Sequence, residues 1–442
     1  MAKPVQNFDA KNLGWMRRYR KQFYLTPDEG EKPANHEEWR TFLERLQRDV
    51  ALGRMKFHRL HSLALLRAGK TRIATATDSL DESLVLRKIN DNLRRSYGIR
   101  GLNRKEAVAT LLQALGENTP KSVYRVDIKS CFESIDRASV LARLRADGLV
   151  SYQTISLIDR IFERTGRLKP KIRKRGLPRG LILSGTLAEI YLAALDKAIR
   201  DIDGVYLLLR YVDDFIVMSS GSMDALVSGV DLALNELGLQ PNARKTAPFP
   251  VACRCAQACD HANKCPCARQ CECVVEDAKA RHRMEYLGYE FRFSPYNMPS
   301  SENQVWVLLS AAKVRKLKTR MTLAAKSYLK DGAPQLFVDR LTFLTGNQVL
   351  INSAKKRSLS AGLAYSHPHY EPGPFDGDAQ TLRELDRFMQ NLVRFALKRR
   401  PTAKAFRDEL AKLTFSSGFT HYRRTKFDTT RMAVIARCWS HV

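Results

Sequence analysis

Two adjacent aspartates, Asp213 and Asp214, interrupt an apolar stretch, RYVDDFIVMSS at residues 210–220. Burying a carboxylate among apolar residues is costly unless the charge is paired or bound to a metal. The stretch therefore indicates either a surface turn between two strands or a metal site at the bend of a hairpin. A third aspartate, Asp127, ends the β-branched run VYRVD. Two such strands lying side by side would bring Asp127 and Asp213 together.

Carboxylates gathered at one edge of a sheet suit hard divalent cations. Mg²⁺ is usually held by one or two carboxylates together with substrate phosphates. Two such ions, about 3.5–4 Å apart, stabilise the attacking and leaving oxygens of a phosphoryl displacement. The sequence therefore favours a Mg²⁺ (or Mn²⁺) site built from Asp127 and the aspartates of YVDD.

The elements that must position these carboxylates alternate between strand and helix patterns. VYRVDIKSCF predicts a strand ending at its aspartate, and VYLLLRYVDDFIVMSS predicts a strand, a turn and a strand. GLPRGLILSGTLAEIYL predicts a Gly/Pro turn that leads into a long helix. HSLALLRAGKTRIATATDS and RMEYLGYEFRFSP predict hairpins, and the chain from about residue 310 is helical and basic in pattern. This mixture predicts an α+β protein with a helical C-terminal unit.

Composition limits the partners. The chain has 442 residues, 44% of them apolar, and a net charge of +29 from 75 Lys+Arg against 46 Asp+Glu. An excess spread along the chain favours a polyanionic partner, most often nucleic acid. The N-terminus lacks the apolar segment of a secretory signal, and no apolar run reaches the roughly 18 residues of a membrane span. We therefore expect a cytoplasmic protein without a membrane partner, whose cysteines are reduced.

Five segments, read in order, resemble a known family. VYRVDIKSCF, GLPRGLILSGTLAEIYL, YVDDFIV, LGLQPNARKT and EYLGYEF are similar to palm motifs A to E of reverse transcriptases. The resemblance implies a right-hand polymerase with fingers, a palm built on an antiparallel sheet and a helical thumb. It also implies synthesis of DNA from dNTPs on an RNA template, with RNA and DNA as partners. The implied domains are an N-terminal extension (1–60), fingers (61–126), palm with interleaved fingers elements (127–296) and a basic thumb (297–442).

The resemblance also implies roles for single residues. Asp127 and Asp213 match the two metal ligands, and Asp214 matches their less direct companion. Lys245 falls at the motif D lysine, a candidate general acid for the pyrophosphate leaving group. Phe132 falls at the steric gate, an aromatic ring that blocks a nucleotide 2′-hydroxyl. Without the resemblance, Phe132 would be read as ordinary core and Lys245 as a surface charge.

Further substrate-binding candidates follow from the same resemblance. The fingers hairpin carries three cations suited to gripping the triphosphate: Arg67, Lys70 and Arg72. Arg72 could instead pair with Asp78 or Asp81. Arg179 stands where many family members have the glutamine of LPQG, which adds a fixed cation near the nucleotide or template. Ser184 is followed by Gly185 where the usual motif has Ser-Pro, and LGY at 287–289 resembles the primer grip.

A cysteine-rich block at residues 250–275 lies between motifs D and E. Its eight candidate ligands are Cys253, Cys255, Cys259, His261, Cys265, Cys267, Cys271 and Cys273. Structural zinc takes four Cys or His ligands, so the block could complete two zinc sites. An iron–sulfur cluster and a reduced loop without metal are the alternatives. His367 and His369, in AYSHPHY, are interpreted as parts of a structured loop.

Several segments look most similar to the defence-associated reverse transcriptases of antiphage systems, among them SLVLRKINDNLRRSYGIRGLNRKEAV and GLPRGL. The nearest resemblance is to the b component of the type 3, two-polymerase systems. It implies a companion reverse transcriptase and a non-coding RNA. The alternatives are a retron-type enzyme that makes a small satellite DNA, an RNA polymerase, and a non-catalytic RNA-binding scaffold. Phe132 disfavours the RNA polymerase, and the three aspartates disfavour the scaffold.

Overall fold

The structure, a computed structural model, describes residues 6–16, 33–67, 70–100, 103–117, 121–168, 175–251, 283–293, 305–352, 357–370 and 381–439. Within these ranges the helices are α1 (Ala10–Met16), α2 (His36–Ala51), α3 (Leu80–Ser96), α4 (Arg104–Gly116), α5 (Cys131–Ser134), α6 (Arg137–Asp147), α7 (Tyr152–Leu168), α8 (Ile182–Arg200), α9 (Met223–Glu236), α10 (Ala311–Asp331), α11 (Pro334–Thr345), α12 (Leu363–Ser366), α13 (Thr381–Arg399), α14 (Lys404–Ala411), α15 (Phe415–Thr420) and α16 (Thr429–Ala436).

The strands of the same ranges are β1 (Leu60–Arg67), β2 (Lys70–Thr77), β3 (Lys121–Asp127), β4 (Val205–Tyr211), β5 (Asp214–Ser219), β6 (Ala247–Val251), β7 (Arg283–Tyr286), β8 (Tyr289–Phe293), β9 (Val305–Leu309), β10 (Asn347–Asn352), β11 (Arg357–Gly362) and β12 (Arg424–Thr425). β1 and β2 form a two-stranded sheet. The predicted mixture of helices and strands is therefore confirmed.

The chain packs into two compact units, each built from separate segments. The first comprises the described residues within 1–65, 71–102 and 121–251, and the second those within 66–70, 103–120 and 252–442. α4 thus belongs to the second unit, although the chain on both sides of it belongs to the first. The predicted fingers segment is shared between the units, and the predicted domain boundaries stay a prediction.

A four-stranded sheet in the order β4-β5-β3-β6 is the centre of the first unit. Each pair of neighbouring strands is antiparallel. β5 is anchored by four consecutive buried residues, Phe215 to Met218, as expected of a strand covered on both faces. α9 packs on β3, and α8 packs on β4 and on α3. The predicted strand ending at Asp127 and the predicted strand–turn–strand are both present.

Several helices of this unit begin directly after a polar residue that caps their first turn. The side chains of Asn35, Ser79 and Ser222 accept hydrogen bonds from the backbone of the helices they precede. Such caps satisfy backbone N–H groups that have no partner within the helix. α8 instead follows the Gly/Pro turn at 178–181, as its sequence predicts.

The second unit combines helices with two small sheets. β7, β8 and β9 form one antiparallel sheet, and its β7–β8 hairpin is the one predicted from RMEYLGYEFRFSP. α10, α11 and α13 pack around a separate apolar core. The helices expected from about residue 310 are present, but the structure also has a second sheet there that was not expected, formed by β10, β11 and β12. β12 has only two residues, so local sequence carries little sign of that pairing.

None of the helices in the described ranges combines the length and hydropathy that crossing a membrane would require.

Candidate active site

Three aspartates meet at one edge of the four-stranded sheet. β3 ends at Asp127, whose partner across the antiparallel pair with β5 is Asp214. Asp213 lies in the turn between β4 and β5, and its carbonyl accepts a hydrogen bond of 2.8 Å from the Ile128 N–H. The sheet register therefore brings together the three residues that the sequence singled out.

The turn that carries Asp213 has an unusual backbone. Val212 adopts a φ of +61°, a conformation that is strained for a β-branched residue. The Arg210 guanidinium donates to the Val212 carbonyl at 3.2 Å and pairs with Asp196 and Glu189 of α8 at 2.6 and 2.8 Å. Strain of this kind persists where the surroundings hold the backbone in place. Arg210 is the residue that ties this turn to α8.

The carboxylate of Asp127 is gripped from the loop that follows α9. Asn242 Nδ2 donates to Asp127 Oδ1 at 2.8 Å, and the Asn242 N–H donates to the Asp127 carbonyl at 2.7 Å. Lys245 Nζ donates to Asp127 Oδ2, also at 2.8 Å. Both carboxylate oxygens of the buried Asp127 thus have a partner from QPNARKT. Lys245 itself is half exposed, so its ammonium can leave the carboxylate without crossing the core.

Asp214 is bound to an arginine of the neighbouring strand. Arg125 Nε and Nη2 donate to the two Asp214 oxygens at 3.3 Å each. Both side chains are largely buried, with 16% and 18% of their surfaces exposed. This pairing fits the sequence-based expectation that Asp214 is a less direct companion of the other two aspartates.

Burial makes it harder for the carboxyl groups of Asp213 and Asp214 to lose their protons. Burial raises the pKa of Asp213 above its ordinary value, and the neighbouring Asp127 raises it further. Burial also raises the pKa of Asp214, although Arg125 opposes that shift. Carboxylates crowded in this way gain stability from a nearby cation.

The donor set at this edge fits a hard divalent cation. Asp127 and Asp213 supply carboxylate oxygens, and burial, to which the nearby Asp127 adds, raises the pKa of Asp213, so a bound cation would stabilise its charged form. A closed protein cage is not formed: within the described ranges no three His, Cys, Asp or Glu side chains converge as a metal site. Mg²⁺ rarely uses such cages, because it keeps several water or phosphate ligands. Asp127 and Asp213 are therefore the residues that would hold the ion.

Phe132 and Arg179 lie in contact close to this edge. Phe132 belongs to the four-residue helix α5, which follows the strand carrying Asp127, and it is partly buried against the core of the first unit. The Arg179 guanidinium lies over the Phe132 ring, 5.5 Å from its centroid, and pairs with Glu133 at 2.6 Å. Arg179, expected to bind substrate, is thus engaged with two residues of α5.

Ser184 has a different position from the one expected. Its side chain is buried, and its hydroxyl donates to the Pro178 carbonyl at 2.7 Å. The hydroxyl therefore stabilises the turn that carries Arg179. A direct contact between Ser184 and substrate stays a prediction that this geometry does not favour.

Two groups of predicted residues lie outside what the structure describes. Arg67 and Lys70 lie on β1 and β2, and Arg72 lies on β2, but their side chains are not among the described ones. The whole cysteine-rich block, from Cys253 to Cys273, also lies outside the described residues. The predicted triphosphate grip and zinc sites stay predictions.

The second unit carries the Leu287–Gly288 turn of the predicted primer grip. Both residues have positive φ values, +48° and +79°. Arg104 of α4 donates from Nε and Nη2 to the Leu287 carbonyl and from Nη1 to the Ser366 carbonyl. Arg104 therefore connects the turn to the loop that contains His367.

His367 is buried beside this turn in its neutral form. Its ring lies 4.8 Å from that of Tyr289, and its Nε2 lies 3.2 Å from Arg104 Nη2. A guanidinium can only donate, so Nε2 is the acceptor and carries no proton. Burial lowers the pKa of His367 to about 3, with Lys313 and Arg104 contributing in the same direction. The interpretation of this histidine as part of a structured loop agrees with its contacts.

Sequence reasoning missed three residues around the carboxylates of the first unit, Asn242, Arg125 and Glu133, and it separately missed Arg104 of the second unit. Asn242 lies inside a motif already singled out, LGLQPNARKT, and Glu133 directly follows another, VYRVDIKSCF. For Arg125, two residues before Asp127, the period-two alternation of a strand placed it on the same face. Nothing local in the sequence indicated that Arg104 would reach a turn 183 residues later.

Comparison with known proteins identifies the class. Residues 69–291, just over half of the chain, match the family described as reverse transcriptase (RNA-dependent DNA polymerase). The chain therefore belongs to the reverse transcriptase family, whose members are RNA-directed DNA polymerases. No curated protein matches the chain.

Two solved structures similar to the chain are of telomerase. Apo telomerase from Candida Tropicalis is 12% identical, with a TM-score of 0.38 over 86% of this chain and 73% of that one. The same apo enzyme, truncated from its C-terminal domain, is 13% identical, with a TM-score of 0.35 over 59% of this chain and 61% of that one. The chain thus spans less than two thirds of the truncated telomerase.

Asn242→Ala is expected to weaken Mn²⁺ binding about tenfold, because it removes a donor that orients a metal-ligating carboxylate. Lys245→Met is expected to act in the opposite direction, because the ammonium competes with a cation for Asp127. Calorimetric titration of the substrate-free protein with Mn²⁺ measures both effects. Gln240→Ala, on an exposed residue of the same loop, is the control. Equal affinities for Asn242→Ala and Gln240→Ala would contradict this account of Asp127.

His367→Gln is expected to make the protein less sensitive to acid. The unfolded chain takes up a proton near pH 6.5, whereas the folded chain does so near pH 3, so stability falls as the pH drops through that window. The loss has a slope of up to about 1.4 kcal/mol per pH unit. Urea unfolding between pH 7 and pH 4.5 measures it, with His369→Gln as the control. Identical pH slopes in wild type and His367→Gln would contradict a neutral buried histidine.

Proposed function

We propose that the chain synthesises DNA from dNTPs on an RNA template by phosphoryl transfer at the edge of the β4-β5-β3-β6 sheet. The observation that carries the proposal is the β3–β5 register, which sets Asp127 opposite Asp214 with Asp213 in the adjoining turn. That arrangement lies inside the segment that matches the reverse transcriptase family. Membership of the family and the position of the carboxylates support the same chemistry.

In this proposal the chain's own residues prepare the reaction. Asp127 and Asp213 hold Mg²⁺ or Mn²⁺ in a two-metal mechanism, in which the bound ions stabilise charge on the phosphoryl oxygens. Asn242 orients Asp127, and Arg125 retains Asp214 at the sheet edge. Lys245, which rests on Asp127, moves to protonate the pyrophosphate leaving group. Arg67, Lys70 and Arg72 grip the triphosphate.

Phe132 selects the sugar in this proposal. An aromatic ring next to the strand that ends at Asp127 is well placed to exclude a 2′-hydroxyl, which favours dNTPs over NTPs. The net charge of +29 supports an RNA template and a DNA product as partners, since phosphate backbones attract clustered Lys and Arg. A retron-type enzyme that makes a satellite DNA would use the same site.

The biological setting is part of the proposal. The sequence resemblance to defence-associated reverse transcriptases supports an antiviral role in the bacterial cytoplasm, with a companion reverse transcriptase and a non-coding RNA as partners. RNA that co-purifies with the chain, once sequenced, would identify its template. The defence role predicts that phage form fewer plaques on cells that carry the intact system.

We expect purified wild-type protein to incorporate dNTPs in the presence of Mg²⁺ or Mn²⁺ and co-purifying RNA. Changing Asp213 and Asp214 to Asn together should reduce incorporation roughly a thousandfold or more, because the metal contribution is worth several kcal/mol. Incorporation of each dNTP and NTP, followed by sequencing of the product, measures both activity and template. The control is Asp224→Asn, an exposed aspartate at the start of α9.

Three outcomes would count against the proposal. Incorporation that is equal in wild type and the double variant would show that these carboxylates do not catalyse the reaction. Phage protection that survives the double variant would favour the alternative of a non-catalytic RNA-binding scaffold. Preferential use of NTPs would favour an RNA polymerase and remove the gating role of Phe132.

We also propose that the block from Cys253 to Cys273 binds structural zinc, with two four-ligand sites per chain. Elemental analysis of the purified protein should then find about two zinc ions per chain, as expected for eight ligands. Replacing Cys253 and Cys255 with Ser should lower that number, whereas Cys438→Ser, which changes an isolated cysteine, should not. Stoichiometric iron would favour a cluster instead, and absence of both metals would contradict the site.

A further inference from the structure

The segment from Arg175 to Leu181 connects α5, the short helix that carries Phe132, to strand β2. On one side, the Leu177 N–H donates to the Phe132 carbonyl at 2.7 Å, and the Gly176 N–H donates to the Ile135 carbonyl at 2.9 Å. On the other side, the Arg179 carbonyl accepts from the Thr75 N–H of β2 at 2.6 Å. The backbone around Arg179 is therefore held from two directions.

Two glycines permit this close packing. Gly180 has a φ of +100°, and a Cβ atom there would lie 2.5 Å from the Thr75 carbonyl oxygen. Gly176 has a φ of +83°, and a Cβ atom there would lie 3.2 Å from the Glu133 Cα. Only glycine adopts such backbone angles readily and also leaves room for the neighbouring chain. The position of Arg179 is consequently set by backbone contacts and does not depend on its own side chain.

The Arg179 side chain makes two contacts with α5. Its Nε lies 2.6 Å from Glu133 Oε1, and its Nη2 donates to Glu133 Oε2 at 2.8 Å. Its guanidinium carbon lies 5.5 Å from the centroid of the Phe132 ring. A charge-assisted hydrogen bond to a carboxylate limits the orientations of a guanidinium, and a cation over an aromatic face is attracted to it. The Arg179 side chain thereby pairs with Glu133 and covers the ring of the preceding residue, Phe132.

α5 is too short to fix its side chains by its own hydrogen bonds. It has four residues, and Ser130, which precedes it, has a φ of +49° in the left-handed region. A helix of one turn supplies few hydrogen bonds of its own. The Phe132 ring is only partly buried, so contacts from neighbouring segments determine how far it can move.

We propose that Arg179 is a specificity-determining positioning residue: by clasping Glu133 and covering Phe132, it keeps the ring where it excludes a 2′-hydroxyl. This inference rests on the proposed function, because it assigns a support to the proposed sugar gate. A ring that can swing aside excludes a hydroxyl poorly, so loss of the clasp lowers discrimination between dNTPs and NTPs. Catalysis with the correct dNTP is affected much less, since Asp127 and Asp213 are unchanged.

A direct contact between Arg179 and the nucleotide makes the opposite prediction for Glu133. If Arg179 bound the triphosphate, Glu133 would compete for its guanidinium. Removal of the Glu133 charge would then release Arg179 and lower the KM for dNTPs and NTPs alike. If Arg179 instead positions Phe132, Arg179 and Glu133 act as one unit, and removal of either one lowers the discrimination between dNTPs and NTPs to the same extent.

The test compares kcat/KM for a dNTP and the matching NTP in Arg179→Gln, Glu133→Gln and the double variant. Each single change should lower the dNTP preference about fivefold, because partly exposed ion pairs and cation–π contacts are individually modest. The double variant should lose no more than either single one, as expected for residues that act together. Phe132→Ala should lose more than any of them, and Arg175→Gln, which removes the same charge four residues earlier, should keep the preference.

A second readout does not require activity. Phe132 replaced by 4-fluorophenylalanine reports ring motion through its fluorine resonance, in wild type and in the Arg179→Gln and Glu133→Gln backgrounds. The clasp predicts a resonance that shifts and changes width in both backgrounds, and stays unchanged with Arg175→Gln. Unchanged preference and an unchanged resonance in the two clasp variants would overturn the inference, as would a lower KM for both nucleotides in Glu133→Gln. If the wild type incorporates no nucleotide, the proposed function fails while the resonance still decides whether Arg179 holds the ring.

Discussion

The antiparallel pairing of β3 with β5 is the interaction on which the rest of the site depends. It sets Asp127 opposite Asp214 and places Asp213 in the adjoining turn, where its carbonyl bonds to the Ile128 N–H. A slip of one residue would turn the side chains of a whole strand to the other face of the sheet. A slip in one direction would place the Asp214 carboxylate where the buried Phe215 now lies, and a slip in the other would place Phe215 at the carboxylate edge, so the apolar run at 215–218 opposes both. Hydrophobic burial therefore determines where the charges lie.

Each aspartate at this edge is accommodated differently. Asp127 is held by an amide and an ammonium from one loop, and Asp214 by an arginine of its neighbouring strand. Asp213 is partly buried, and both its burial and the nearby Asp127 raise its pKa. The partner of Asp127 is a half-exposed lysine, whereas the partner of Asp214 is a largely buried arginine. We therefore expect these carboxylates to respond differently to a cation.

The parts of the fold and site that the sequence predicted were those with local patterns. The strand ending at Asp127, the strand–turn–strand around Asp213 and the β7–β8 hairpin each have a period or a turn signal within about a dozen residues. The pairing of β10 with β12 was missed, because Asn347 and Arg424 lie far apart along the chain. The pairing of Arg179 with Glu133 spans 46 residues and was missed for the same reason. Side-chain partners chosen by tertiary packing leave no trace in local periodicity.

The arrangement of α4 has a consequence for synthesis of the chain. Arg104 bonds to residues 183 and 263 positions later, so α4 leaves the ribosome well before the segments that it packs with exist. At translation rates of 5–20 residues per second, that delay is roughly 10–50 s. During this time the apolar residues of α4 that become buried in the finished protein, among them Val108, Leu111 and Leu115, have no native partners from the later segments. The nascent chain therefore presents apolar side chains of α4 that a chaperone can bind, and the second unit cannot complete its fold until its later segments have been synthesised.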